Sequence, residues 1–174
     1  FVTYAGSGLG TFTHEIMHPL VEESLPHRPA WAMEGIPAFF EKFYGHVQNG
    51  RLHVQWGYQN PWRIEMLGPK LKHLKLDRIV NGSEGTSEKR LVTVYLNQRG
   101  KLKTFLELVQ ANERRGFRTH LEAAFGKPLK EIEADWKRYL QEIENDRERI
   151  MRLPMSRLFD TPDQYRQFAV QFGL

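Results

Sequence analysis

Apolar residues recur at spacings of three and four along most of this chain, and that period predicts a mainly α-helical fold. The pattern is clearest after Pro128, where an apolar stripe is expected to face the core; its members are Ile132, Trp136, Tyr139, Leu140 and Ile143. The predicted helices cover residues 11–24, 31–44, 71–80, 87–98, 102–114, 117–125 and 128–153.

One stretch departs from the helical period and alternates polar and apolar side chains around Asn49-Gly50. This dipeptide suits a two-residue turn, because both of its positions tolerate positive φ. We therefore predict a small β-hairpin over 45–48 and 51–56. Residues 2–4 are a candidate for a further short strand near the N-terminus. His46 and His53 flank the turn at similar distances. They form either a second metal site or two exposed histidines, and the latter interpretation is favoured.

Proline positions suggest where elements end. The ring of Pro19 would clash with the carbonyl of Glu15, so the sequence predicts a kink or a helix end at His18. Asn60-Pro61 predicts a turn. We interpret residues 1–153 as one domain and residues 154–174 as a loosely docked tail or short docking helix.

Composition narrows the class of protein. At 174 residues with 40% hydrophobic content, the chain can bury one sizeable core, and no apolar run approaches the ~20 residues of a transmembrane helix. The absence of cysteine excludes disulfides and thiolate metal ligands. A net charge of +4 is too modest to indicate a nucleic-acid partner. The chain starts at Phe1 without Met, which favours a fragment of a longer protein.

His14 and His18 are the strongest candidates for chemistry. On one helix, at about 100° and 1.5 Å per residue, they lie about 40° and 6 Å apart, so both imidazoles can reach one metal ion. Glu15 falls in the same sector, about 60° from His18, where its carboxylate can face a water on that ion. The spacing is therefore typical of a catalytic zinc site. Histidines on a solvated helix face are the alternative.

Two glutamates break the apolar run that follows, Glu34 and Glu41. They are seven residues apart, so on one helix they share a face at a distance of two turns. A carboxylate in so apolar a setting is usually paired or bound to a cation. The alternative is that both are ordinary glutamates on the solvent face of an amphipathic helix.

Together these residues resemble a known family. His14-Glu15-x-x-His18 followed by Trp31-x-x-Glu34-Gly35-x-x-Ala38-x-x-x-Glu41 is similar to the gluzincin metallopeptidases, the peptidase MA-like group that includes thermolysin and the zinc aminopeptidases. The resemblance implies a helical zincin-like catalytic domain with Zn²⁺ bound by His14, His18 and Glu34. It further implies that Glu15 is the general base and that Glu41 orients a ligand imidazole.

The resemblance also implies a zinc-dependent peptidase that acts on peptides or proteins, and it favours an exported protein. Relatives stabilise the oxyanion with a Tyr or His outside these motifs; Tyr95 is the first candidate here, and Tyr44 and Tyr58 stay open. One departure is the short link of fifteen residues between His18 and Glu34.

Two other functions remain possible at this stage. The chain could be a catalytically silent zinc-binding or peptide- and cell-wall-binding module of a larger secreted protein. It could also be a helical interaction domain in which the motif is accidental. A metzincin is excluded, because the pattern of that group needs Gly and His where this chain has Val21 and Ser24.

Overall fold

The computed structural model describes residues 9–25, 29–80, 84–111 and 115–172 of the chain. Within them the fold is mainly α-helical with a two-stranded antiparallel sheet, which confirms the predicted class. The predicted strand at 2–4 lies outside the described residues. The elements in chain order are α1 (Leu9–Ser24), α2 (Ala30–Phe39), β1 (Phe43–Gln48), β2 (Arg51–Trp56), α3 (Pro61–Leu67), a 3₁₀ helix (Gly68–His73), α4 (Leu76–Val80), α5 (Thr86–Gln98), α6 (Leu102–Ala111), α7 (Phe117–Phe125), α8 (Leu129–Asn145), α9 (Arg147–Met151) and α10 (Pro162–Phe172).

Helix α5 lies at the centre of the core. Its residues from Leu91 to Leu96 are almost inaccessible to solvent. Helix α2 contacts both α1 and α5, so it forms the middle of three packed helices. Helix α8 covers another side of α5, where Trp136 makes an edge-on contact with Tyr95. The apolar stripe predicted for α8 is buried, as expected; its members are Ile132, Trp136, Tyr139, Leu140 and Ile143.

The close approach of α2 to α5 depends on Gly35. A Cβ atom at this position would lie 2.8 Å from the carbonyl oxygen of Lys89 and 2.9 Å from Oγ1 of Thr93. Both distances are too short for a side chain, so only glycine allows the two helices to pack this closely. Gly35 follows Glu34 directly, and the depth of α2 against α5 therefore sets the position of Glu34.

The hairpin forms as predicted around Asn49 and Gly50. Both residues have positive φ, 52° and 69°, as a type I′ turn requires. His46 stands directly opposite His53, and the two rings stack with their centroids 5.4 Å apart. Among the residues that the structure describes, no third His or carboxylate joins this pair in a metal-binding cluster.

Of the kink or helix end predicted at His18, the helix end does not form, because α1 continues through Pro19 to Ser24, where the predicted span of 11–24 also ends. Pro19 lacks the N–H that would bond the carbonyl of Glu15, so the helix gives up one hydrogen bond. Val21 and Leu25 lie beyond the proline and are buried in the core. Burial of each side chain contributes about 1.5–3 kcal/mol, enough to offset the proline.

Helix α2 is shorter than the predicted span of 31–44. It ends at Phe39, and β1 begins at Phe43, which pairs with Trp56. The aromatic residues at the end of the predicted helix are compatible with a helix or with a strand. The backbone hydrogen bonds of the hairpin stabilise the strand. As a result Glu41 lies in the turn after α2 and not on a helical face shared with Glu34.

Other predicted elements change mainly in their limits. Residues 128–153 form two helices, α8 and α9, which are separated at Asp146. Residues 71–80 divide between the 3₁₀ helix and α4, and the predicted turn at Asn60-Pro61 is the start of α3. Helix α6 is described to Ala111, and the rest of its predicted span, 112–114, lies outside the described residues. Within the described ranges, no helix has the length and apolar character needed to cross a bilayer.

The segment that follows α9 is joined to the hairpin. The N–H of Gly45 donates to the carbonyl of Arg157 at 2.7 Å, and the N–H of Arg157 donates to the carbonyl of Phe43 at 3.3 Å. These bonds make a short parallel bridge beside β1. Arg157 is therefore bonded to the hairpin, and α10 follows it within the predicted tail or docking helix of 154–174.

We expect Gly35→Ala to lower the free energy of unfolding by about 1–3 kcal/mol, because overpacking forces α2 away from α5. Urea unfolding followed by circular dichroism measures this change. The matched control is Gly116→Ala, where an added Cβ meets no atom within 4 Å and φ is −62°. A control change within about 1 kcal/mol is expected, since Gly116 only precedes α7 as its N-cap. Equal stability of Gly35→Ala and the parent would contradict the close-approach argument.

Candidate metal centre

Helix α1 brings His14 and His18 together on its buried side. Their Nε2 atoms lie 3.1 Å apart, and the two rings meet edge to face with centroids 4.8 Å apart. His14 is buried, with 7% of its surface exposed, while His18 is half-buried. The uninterrupted helix through Pro19 keeps both side chains on one face, as their spacing predicts.

Glu34 approaches the same point from α2. Its Oε2 atom lies 3.7 Å from Nε2 of His14, and one donor atom each from His14, His18 and Glu34 lies within 4.8 Å of the others. The same oxygen accepts a hydrogen bond of 3.0 Å from the hydroxyl of Thr86, at the start of α5. The three ligands predicted from the sequence are therefore neighbours in space.

The donor set fits a divalent ion such as zinc. Ligand atoms bound tetrahedrally at about 2.0–2.1 Å are about 3.4 Å from one another. The separations of 3.1 and 3.7 Å that His14 makes with His18 and Glu34 bracket that value. Two imidazoles and one carboxylate are also a common ligand set of catalytic zinc, which leaves one position for water.

Glu41 supports the far side of His14. Its Oε1 lies 3.0 Å from Nδ1 of His14, although the contact lacks the direction of a true hydrogen bond. Arg63 donates from Nε to Oε2 at 3.1 Å and from Nη2 to Oε1 at 2.5 Å, and Nδ2 of Asn60 donates to Oε2 at 3.1 Å. Nε of Arg90 is 3.8 Å from the same carboxylate. A buried anion thus lies among three cationic or potentially cationic side chains.

The electrostatics keep Glu41 ionised. Burial by itself would raise its pKa, but the contacts with His14 and Arg63, together with the charge of Arg90, lower the pKa of Glu41 to about 2. Burial lowers the pKa of Arg90 to about 10, and the negative charge of Glu41 acts in the opposite direction by raising it. The carboxylate and the guanidinium are therefore both charged at neutral pH, and each compensates the other in the core.

The backbone of Glu41 is held as firmly as its side chain. Its carbonyl oxygen accepts a hydrogen bond of 2.7 Å from the hydroxyl of Ser156. The start of α1 packs against the same carbonyl, where a Cβ on Gly10 would lie only 2.5 Å away. Gly10 and Ser156 together fix the turn that carries Glu41, and so they fix the distance between this turn and His14.

Glu15 differs from the other glutamates of the site. Its side chain is half-buried, and it has no hydrogen-bond or ion-pair partner among the residues that the structure describes. It follows His14 on α1, about 100° further round the helix. Within the described ranges, its carboxylate has no partner that would hinder proton exchange with a bound molecule.

Tyr95, the first candidate for oxyanion stabiliser, is bonded away from the three candidate ligands. It is 0% exposed, and its hydroxyl donates to Asp135 at 3.0 Å. Burial and this hydrogen bond raise the pKa of Tyr95. It also lies nine residues after Thr86 on α5, about 13 Å further along the axis. Tyr95 thus lies on the helix that begins at Thr86, but far from the end that approaches Glu34.

The two other tyrosines considered from the sequence are also engaged. The hydroxyl of Tyr44 donates to the carbonyl of Pro154 at 2.8 Å, and that of Tyr58 donates to Oε1 of Gln55. Neither is recorded in contact with His14, His18 or Glu34.

Several residues of the site escaped sequence analysis: Gly10, Asn60, Arg63, Thr86, Arg90 and Ser156. Gly10 lies at the start of α1, the other five lie outside α1 and α2, and none belongs to a local motif. The one available signal is Arg90, a cation within the apolar run of α5 that needs a buried counter-charge.

Comparisons with known proteins leave the family open. No protein-family model matches the chain, and no curated protein or solved structure matches it either.

We expect the purified chain to bind about one equivalent of zinc, and Glu34→Ala to weaken zinc binding more than about 100-fold, beyond the effect of losing an outer partner. Competition with a chromophoric chelator measures the affinity. The control is the double variant His46→Ala/His53→Ala, which removes two imidazoles from the hairpin and should leave the affinity unchanged. A parent chain that retains no zinc would refute the metal centre.

We expect Glu41→Gln to weaken zinc binding by about 10–100-fold, because His14 loses the carboxylate that orients it. The same change should lower the free energy of unfolding by about 3–5 kcal/mol, since it leaves Arg63 and Arg90 buried without their counter-charge. Chelator competition and urea unfolding of the metal-free protein measure the two effects. Glu65→Gln, at an exposed position on α3, is the control and should change neither quantity.

Proposed function

We propose that this protein is a zinc-dependent peptidase. The observation that carries the proposal is the convergence of His14, His18 and Glu34 beside Glu15, a carboxylate with no other partner among the described residues. The likeness of these positions to the gluzincin pattern points the same way, and their spacing agrees with it.

The chemistry divides between the bound ion and the chain. A zinc ion held by the three ligands would supply the Lewis acid that activates water and polarises a carbonyl group. Glu15 would take the proton of the attacking water and later deliver it to the leaving nitrogen, for which it needs hydrogen-bond reach of about 2.6–3.2 Å. An amine leaves poorly without a proton, so a carboxylate that both accepts and returns one suits amide hydrolysis.

The surrounding residues support the same reaction by restricting the ligands. Glu41 limits rotation of the His14 ring, and Arg63 keeps Glu41 in place. The negative charge of Glu41 also raises the basicity of the His14 ring. The ring would then donate its electron pair to a metal ion more strongly. His14 is therefore the ligand with the most extensive support.

We expect Glu15→Gln to keep its zinc and to lose peptidase activity by about 10²–10⁴-fold, since the amide cannot accept the proton of water. Zinc content by metal analysis and cleavage of a peptide library measure the two effects. Glu23→Gln is the matched control on α1, because Glu23 is exposed and lies beyond both histidines. Full peptidase activity in Glu15→Gln would rule out the general-base role.

The same assay tests the alternative of a silent zinc- or peptide-binding module. Such a module would bind zinc but cleave no peptide, with or without Glu15. The carboxylate of Glu15, unpaired within the part of the chain that the structure describes, favours the peptidase, because a binding module has no use for a proton acceptor at that position.

A further inference from the structure

Glu34 is less enclosed by the protein than the ligand candidate His14. Its side chain is 38% exposed, whereas that of His14 is 9% exposed. A glutamate has three rotatable side-chain bonds, and holding them in one arrangement opposes metal binding through lost conformational entropy. Among the residues that the structure describes, Thr86 is the one hydrogen-bond donor to the Glu34 carboxylate.

Thr86 is held in a fixed place relative to Glu34. It is the first residue of α5, and α5 is locked against α2 by the close contact at Gly35 and by a 2.7 Å hydrogen bond from Nε of Arg90 to the carbonyl of Ala38. The donor and the acceptor therefore sit on two helices that cannot slide independently. The 3.0 Å hydrogen bond between Thr86 and Glu34 therefore follows from the packing of the two helices.

The hydroxyl meets the oxygen that faces the other ligands. Oε2 of Glu34 accepts from Thr86, and the same Oε2 is the atom 3.7 Å from Nε2 of His14. A carboxylate oxygen has two lone-pair directions, so it can accept this hydrogen bond and still bind an ion. The bond thus selects the rotamer of Glu34 that presents Oε2 to His14 and His18.

The start of α5 adds a favourable field. The helix is 13 residues long, and its N-cap, Gly85, provides no side-chain acceptor for the first N–H groups. The partial positive charge at this end favours a carboxylate nearby. The field of the helix end alone would not select one rotamer of Glu34, however. The hydrogen bond from the Thr86 hydroxyl determines the position of the Glu34 carboxylate.

We propose that Thr86 is a positioning residue that pre-organises Glu34 for metal binding. This inference rests on the proposed metal centre and concerns its third ligand. Thr86 is assigned no ligand role of its own; it acts through Glu34, as Glu41 acts through His14. Each of these two ligands would then have a partner that comes from another segment of the chain.

The test compares three variants of the full chain. Thr86→Val removes the hydroxyl and keeps the shape, and we expect it to weaken zinc binding about tenfold, in the range of lost outer partners. Thr86→Ser keeps the hydroxyl and should bind zinc within about twofold of the parent, since the donor is retained. Thr104→Val, at an exposed threonine on α6, is the matched control and should bind as the parent does.

Two readouts separate positioning from a merely structural role. Zinc affinity is measured by chelator competition, and the geometry of the ligands is followed by the visible absorption of the Co²⁺-loaded protein. We expect the Co²⁺ spectrum of Thr86→Val to differ from that of the parent and the spectrum of Thr86→Ser to match it. Thermal unfolding of the metal-free variants shows whether each one is folded.

The outcomes are distinct. Parent-like affinity and spectrum in Thr86→Val would overturn the positioning role while the metal centre stands. An equal loss in Thr86→Val and Thr86→Ser would also overturn it, because packing and not the hydroxyl would then be responsible. Failure of the parent chain itself to bind Zn²⁺ or Co²⁺ would instead overturn the proposed function on which the inference rests.

Discussion

A buried, ionised carboxylate is the constraint on which the rest of the candidate centre depends. The side chain of Glu41 contacts His14 and accepts hydrogen bonds from Asn60 and Arg63, and its backbone carbonyl is held by Ser156. A charge in the core is tolerated only when opposite charges and hydrogen bonds surround it, so each partner is necessary for the others. The position of His14 is therefore set by segments that meet at one anion.

The second support of the centre is the packing of α2 on α5. Gly35 allows the backbones to approach, and the approach carries Glu34 to the start of α5. The ligands thus depend on two different kinds of interaction. His14 relies on buried charge, whereas Glu34 relies on helix packing and one hydroxyl group. His18 relies on neither and takes its place from α1.

Local patterns in the sequence were enough for part of this arrangement. The four-residue spacing of the histidines, the Asn49-Gly50 turn and the apolar stripe of α8 each depend on neighbours along one element. Positions that depend on tertiary contacts were not predictable in this way. Glu41 lies outside the predicted helix because Phe43, two residues later, pairs with the second strand of the hairpin. Tyr95 contacts Asp135 because of the way α5 packs against α8, which the sequence of α5 alone does not reveal.

The hydrogen bond between Ser156 and the carbonyl of Glu41 spans 115 residues of chain, and this has a consequence for the order of events during synthesis. His14, His18 and Glu34 are synthesised before Thr86 and Ser156. Contacts between distant segments form slowly, since a long loop must close first. The candidate ligands are therefore made well before the segments that hold them in place, and their arrangement can be completed only after Ser156 has been synthesised.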